Sequence, residues 1–227
     1  MKWFALLLLG AGWAAGCASA QGLTLSPVMI HAPAEGGATS LTLTSGLAEP
    51  KLVQVRVFDW TQAGGGEQMV PATDVRFGPE IFEILPGKAQ TVRFLLPDTD
   101  GAGTWRVVVD ELPAPPGQAA EDAAQLQLRL RYVLSMFAGE PGAPEQLQAA
   151  ADAAGVELRN PGPGWLKMHS LALVEPDGTV QAAETGIVYL LPGAVARIPA
   201  GEDPEGYAAL SYTIGPQSYS ADLRRRP

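Results

Sequence analysis

From Gln125 to Phe137 the chain reads Q-L-Q-L-R-L-R-Y-V-L-S-M-F. On an extended backbone Leu126, Leu128, Leu130, Tyr132, Leu134 and Met136 fall on one face, with mainly polar residues opposite until Val133. This is the pattern of a β-strand. Its 13 residues are more than twice the ~5 to 6 of an ordinary strand. A domain of about 100 residues cannot cover all of such a strand. Part of the apolar row therefore needs a partner from elsewhere.

Alternation with period two recurs on both sides of this segment, interrupted by 26 glycines and 20 prolines, and no convincing helical period occurs in the mature chain. Upstream, Leu23, Leu25 and Val28 to Ile30 read as a first strand, and Ser40 to Ser45 as a second. Leu52 to Trp60 sets Val53, Val55 and Val57 opposite Gln54, Arg56 and Phe58, and Gly64-Gly65-Gly66 follows as a hairpin loop. Ile81 to Leu85, Thr91 to Leu96 and Trp105 to Leu112 are further strands. Pro113 to Asp122, rich in Pro, Gly, Gln and Ala, then leads as a mobile connector into the long strand.

Downstream, Val156 to Arg159, Trp165 to Val174, Thr179 to Ala182, Ile187 to Leu191, Ala194 to Ile198 and Ala208 to Ile214 repeat the style. Asn160-Pro161-Gly162, Pro176-Asp177-Gly178 and Pro192-Gly193 supply turns. The run Ala149 to Ala154 suits a short helix or a hairpin turn, and Arg224-Arg225-Arg226 reads as a solvated basic tail. The class is all-β.

At the N-terminus Lys2, the apolar run Trp3 to Leu9 and the small-x-small site Ala18-Ser19-Ala20 predict a secretory signal peptide. Its core is shorter than the ~20 residues of a membrane span, so no membrane insertion is expected. Cys17, the only cysteine, lies inside it, and cleavage after Ala20 leaves a mature chain without thiols. A lipoprotein box ending at Cys17 is the competing reading, weakened by Ala14 where a leucine belongs. Removing 20 of 227 residues leaves 207, enough for two sandwich domains. The net charge of −9 argues against nucleic acid and anionic lipid as partners.

Several blocks then become recognisable in their order: L-S-P-V-M-I at Leu25–Ile30, V-Q-V-R-V-F-D-W ending at Trp60, and F-G-P-E-I-F-E-I-L-P-G-K-A-Q-T-V-R-F from Phe77 to Phe94. W-R-V-V-V-D-E-L-P follows at Trp105 to Pro113, then the long strand, N-P-G and Y-L-L-P-G. Together they resemble the periplasmic pilus-assembly chaperones of the chaperone-usher pathway, in particular the archaic, spore-coat-U-like branch.

The resemblance implies two immunoglobulin-like β-sandwich domains at an angle with an interdomain cleft. Here these divide as a signal peptide at 1–20, an N-terminal chaperone domain with its donor strand at 21–138, and a C-terminal β-sandwich domain at 139–227. It implies a binding function without catalysis: pilus or fimbrial subunits are stabilised in the periplasm by donor-strand complementation and delivered to an outer-membrane usher. Matching the long strand assigns the donor residues to Leu126, Leu128 and Leu130, with Tyr132 continuing their face. Leucines at i, i+2 and i+4 stand about 7 Å apart, a spacing that fills successive pockets of a groove. The same exposed strand leaves self-association open.

Many members hold the subunit's C-terminal carboxylate with an Arg in the first strand and a Lys in the long strand. Those positions are Met29 and Ser135 here, which leaves Arg93, Arg129 and Arg131 as candidate anchors. The interdomain charged cluster of the family is not evident.

Neither His31 nor His169 lies near carboxylates at metal-ligand spacing, and both read as surface or turn residues; no metal or cofactor is expected. Asp110 and Glu111 are adjacent and point to opposite faces of a strand, so they form no acid and base pair. Trp60 and Trp105 read as core. Nucleotide-loop, nucleophile-elbow and zinc motifs are missing. Two other readings compete: a structural two-domain pilus-associated or adhesive surface protein, and a sandwich hydrolase. The first would offer a free N-terminal donor strand rather than an internal one, and the second lacks a nucleophile and base.

Overall fold

The computed structural model describes residues 22–99, 101–113, 129–183, 185–201 and 203–225. The expected signal peptide with Cys17, most of the expected Pro113 to Asp122 connector, and Leu126 and Leu128 lie outside them. Ten strands fill the first half: β1 (Leu23–Ser26), β2 (Met29–Ala32), β3 (Gly37–Ser45), β4 (Lys51–Ala63), β5 (Gly66–Pro71), β6 (Arg76–Gly78), β7 (Ile81–Ile84), β8 (Ala89–Leu96), β9 (Gly103–Glu111) and β10 (Arg131–Ala138). One sheet has the order β1-β3-β8-β6, and the facing sheet runs β2-β10-β9-β4-β5 with β7 beside β4. Between them Ile30, Leu41, Leu43, Val53, Val55, Val92, Phe94, Val107, Val109 and Met136 are at most 1% exposed. Burial of such side chains contributes roughly 1.5 to 3 kcal/mol each.

The second half adds β11 (Gln148–Asp152), β12 (Gly155–Arg159), β13 (Leu166–Val174), β14 (Val180–Ala182), β15 (Val188–Leu190), β16 (Val195–Ile198), β17 (Ala209–Ile214) and β18 (Gln217–Arg225). They form one ladder in the order β14-β13-β17-β18-β11-β12-β16, with β15 beside β13. β18 pairs β17 through Gln217 to Asp222 and β11 through Leu223 to Arg225, so one strand serves both layers. Val156, Leu158, Leu166, Met168, Leu190, Leu210 and Tyr212 form the core. The expected pair of immunoglobulin-like sandwiches is present.

Several local expectations change. The first strand is two strands in opposite sheets, because Pro27 has no N–H to continue a ladder and the chain crosses between layers there. The Ala149 to Ala154 run is a hairpin between β11 and β12, not a helix. Arg224 and Arg225 of the basic tail are solvated, as expected, but their backbone belongs to β18 and pairs with Ala150 and Ala151, while Arg226 lies outside the described residues. The 13-residue strand is described from Arg131 onward, although the Leu130 carbonyl still accepts the Glu111 N–H at 3.1 Å. After β10 the backbone turns at Gly139, whose φ of +81° and 2.9 Å approach of an added Cβ to the Gly101 carbonyl demand glycine.

Candidate functional site

β10 sits between β9 and β2, but the two neighbours cover it unequally. β9 pairs with all of it, from Arg131 opposite Asp110 to Ala138 opposite Gly103. β2 is four residues long and covers only Ser135 to Ala138. Among the described residues, the edge from Arg131 to Leu134 facing away from β9 therefore has no partner. Because Leu130 bonds Glu111, even-numbered residues direct their backbone groups to β9. Those of Arg131 and Val133 then point to the open edge. Leu130 and Val133 are 43% and 50% exposed there, while Leu134 and Met136 are buried in the first core. Tyr132 packs half-buried against that core.

The other face of this sheet looks toward the second sandwich. Alternation puts Met29 and His31 of β2, Ser135 and Phe137 of β10, Arg106 of β9, and Trp60 and Gln62 of β4 on that side. Trp165, just before β13, with Lys167 and Tyr189 form the opposing wall. Phe137 stacks on Trp165 at 4.1 Å, and Trp60 meets Tyr189 edge-on at 5.3 Å. Gln62 locks the seam with its amide: it donates to the Tyr189 carbonyl at 2.9 Å and accepts the Leu191 N–H at 2.8 Å.

Met29 and Ser135 are direct partners in the parallel pairing of β2 with β10. Opposite Ser135 on β9 stands Arg106, only 8% exposed. Its Nη1 donates to Ser135 Oγ at 2.7 Å, and its Nη2 donates to both oxygens of Glu67 at 2.9 and 3.2 Å. The guanidinium carbon lies 3.5 Å from the Trp60 ring centre and 5.2 Å from that of Tyr189. Such stacking and pairing offset the cost of burying the charge. Burial and the nearby Lys167 charge hold the His31 imidazole below its ordinary pKa, against the opposing pull of Glu140.

The sequence-predicted residues are thus scattered. Leu130 and Tyr132 border the open edge. Arg93 is exposed on β8 in the other sheet, Arg129 is exposed ahead of β10, and Arg131 is paired with Asp110. None of the three anchor candidates is gathered at Met29 and Ser135; Arg106 is. A signal for it existed, since an arginine inside the apolar run W-R-V-V-V must find partners if it is buried. His31 is exposed, as expected, but sits on β2 with its ring 5.6 Å from that of Trp165. Trp60 is fully buried, as expected, in the cluster that joins the two sandwiches. Trp105 is in the first core as expected.

Comparison with known proteins agrees with this geometry. The model of the pili and flagellar-assembly chaperones, PapD N-terminal domain, matches residues 22–143, which end just past β10 and the turn after it. An uncharacterized fimbrial chaperone, YcbF of Escherichia coli (strain K12), is 26% identical over 146 residues, covering 60% of this chain; the match spans 61% of that relative's length. The chaperone CsuC, solved with the tip adhesion subunit CsuE from the archaic chaperone-usher Csu pili of Acinetobacter baumannii, is 17% identical. That match covers 91% of this chain and 100% of the solved one, with a TM-score of 0.68. The E. coli chaperone DraB is 16% identical over 90% of this chain and 97% of its own, with a TM-score of 0.66. With its strand order, its half-open β10 and a family match across more than half its length, the chain belongs to the pili and flagellar-assembly chaperone family.

Proposed function

We propose that the chain is a periplasmic chaperone that stabilises pilus or fimbrial subunits by donor-strand complementation and delivers them to an outer-membrane usher. The observation that carries this reading is the unpaired edge of β10 from Arg131 to Leu134, continued upstream by exposed Leu130. A subunit sandwich short of one strand can pair with that edge through backbone hydrogen bonds. Leu126, Leu128 and Leu130 then fill its groove, with Tyr132 closing the row against the chaperone's own core. The subunit's terminal carboxylate is received where β2 meets β10, with Arg106 taking the place of the cations missing at Met29 and Ser135. Residues 1–20 act as the export signal. Gly139 marks the division between an N-terminal domain at 21–138 and a C-terminal domain at 139–227.

The test is co-expression with a subunit secreted from the same locus and recovery of the periplasmic complex. Leu128→Asp and Leu130→Asp should stay folded and lose the subunit, since an unpaired carboxylate in an apolar groove costs several kcal/mol against a micromolar complex worth about 8. Gln127→Asp, on the opposite face, should bind almost normally. Normal recovery with both leucine variants would reject strand donation.

A further inference from the structure

Arg106 is held in a way that leaves part of its binding capacity unused. A carboxylate that matches a guanidinium takes two nitrogens at once through parallel hydrogen bonds. Glu67 does not, because both of its oxygens rest on the single nitrogen Nη2, at 2.9 and 3.2 Å. Nη1 is taken by Ser135, and Nε is buried with no hydrogen-bond partner. Arg106 itself is more than nine-tenths buried. An N–H left unpaired at such a site favours any acceptor that can reach it.

Glu67 is also loosely placed. Its side chain is 47% exposed, and it lies on β5, an edge strand exposed along its whole length and joined to β4 by the Gly64-Gly65 turn. The far wall contributes a second cation. Lys167, on β13 of the second sandwich, puts Nζ 5.8 Å from the centre of the same Tyr189 ring that Arg106 faces at 5.2 Å. It is half-buried, forms no ion pair among the described residues, and lies close enough to His31 to lower that imidazole's pKa. The seam thus holds Arg106 and Lys167, with Glu67 on Arg106, Glu140 near His31, and His31 disfavoured as a further cation.

We infer that Glu67 is an internal stand-in for a guest carboxylate, and that a peptide's C-terminal carboxylate displaces it from Arg106 while Lys167 joins from the second sandwich. The guest engages Nε and Nη2 together, Glu67 turns out to solvent, and Ser135 keeps Nη1 in place. Both sandwiches then hold one chain end. This rests on the strand-donation reading above, because the β10 edge brings the chain end to Arg106. It adds that the free chaperone keeps its anchor occupied and releases it only to a competing carboxylate.

The probe is a ten-residue peptide of alternating valine and threonine with a free carboxylate, compared with its C-terminal amide, titrated calorimetrically into the full chain and into Glu67→Gln and Lys167→Met. The wild type should prefer the acid. Glu67→Gln, which keeps a neutral acceptor for Nη2, should bind the acid about tenfold more tightly and the amide as before. Lys167→Met should weaken the acid alone by a similar factor. Thermal melts and circular dichroism of each variant establish that it is folded. If acid and amide bind equally to all three proteins, strand pairing stands and the exchange at Arg106 is wrong. If neither peptide binds any of them, the strand-donation reading fails and takes the exchange with it.

Discussion

Asp110 shows how a single side chain supports the open edge without taking part in it. On β9 it accepts a hydrogen bond from Arg56 at 2.6 Å and another from Arg131, the first residue of β10. Burial alone would raise its carboxyl pKa, but the hydrogen bonds and charges of Arg131 and Arg56 outweigh burial and leave it below the ordinary 3.8. A lowered folded-state value means that this stabilisation is complete above pH 3.8 and is lost as pH falls through the folded value. Asp110→Asn should cost about 1 to 3 kcal/mol at neutral pH. The gap between variant and wild-type melting temperatures should close in acid. A gap that stays constant across the carboxylate range would show that the asparagine acts by shape and not by charge. Asp110 and Glu111 do lie on opposite faces, as adjacency on a strand requires. Their partners were hidden, because Asp110 and Arg56 are 54 positions apart and only sheet register brings them together.

At the scale of elements, long strands with a buried face of large apolar residues were legible; β11, whose buried face is only Ala149 and Ala151, was not, and the fully exposed β14 was legible only beside its turn. Val53, Val55 and Val57 alternate because one side of β4 faces the core, and Leu134 and Met136 do the same on β10. β5, by contrast, reads G-E-Q-M-V-P, is exposed throughout and has no apolar face to announce it. β18 reads Q-S-Y-S-A-D-L-R-R, with only Ala221 buried, and was equally silent. What no periodicity could reveal is which side of β10 lacks a neighbour, since that depends on β2 stopping after four residues. This yields a test of the edge itself. Val133→Pro removes an N–H that points away from β9, so the fold should survive, as proline is tolerated on sheet edges. Subunit binding should fall by about tenfold. Leu134→Pro removes a bond to β9 instead and should lower the melting temperature sharply. If both variants melt alike, the edge at Val133 is not open.

For the whole molecule, the question is what fixes the two sandwiches relative to each other, since a guest spanning the seam needs both walls in place. Six ion pairs between described residues each stay within one sandwich. The contacts that cross are instead aromatic packing, the buried Arg106 guanidinium against Tyr189, and the Gln62 amide, which engages Tyr189 and Leu191 from 127 and 129 residues away. Salt weakens exposed charge pairs and leaves such contacts almost untouched. Small-angle X-ray scattering of the wild type should therefore give the same profile at low salt and at about 1 M. Gln62→Ala leaves the Tyr189 carbonyl and the Leu191 N–H without that partner, at about 1 to 3 kcal/mol. Trp165→Ala removes a side chain stacked on Phe137, at about 3 to 5 kcal/mol. Gln62→Ala should broaden the distribution of interdomain distances while each sandwich stays folded, and subunit recovery should fall although β10 is untouched. A wild-type profile that changes with salt, or a Gln62→Ala profile identical to it, would place the rigidity of the seam elsewhere.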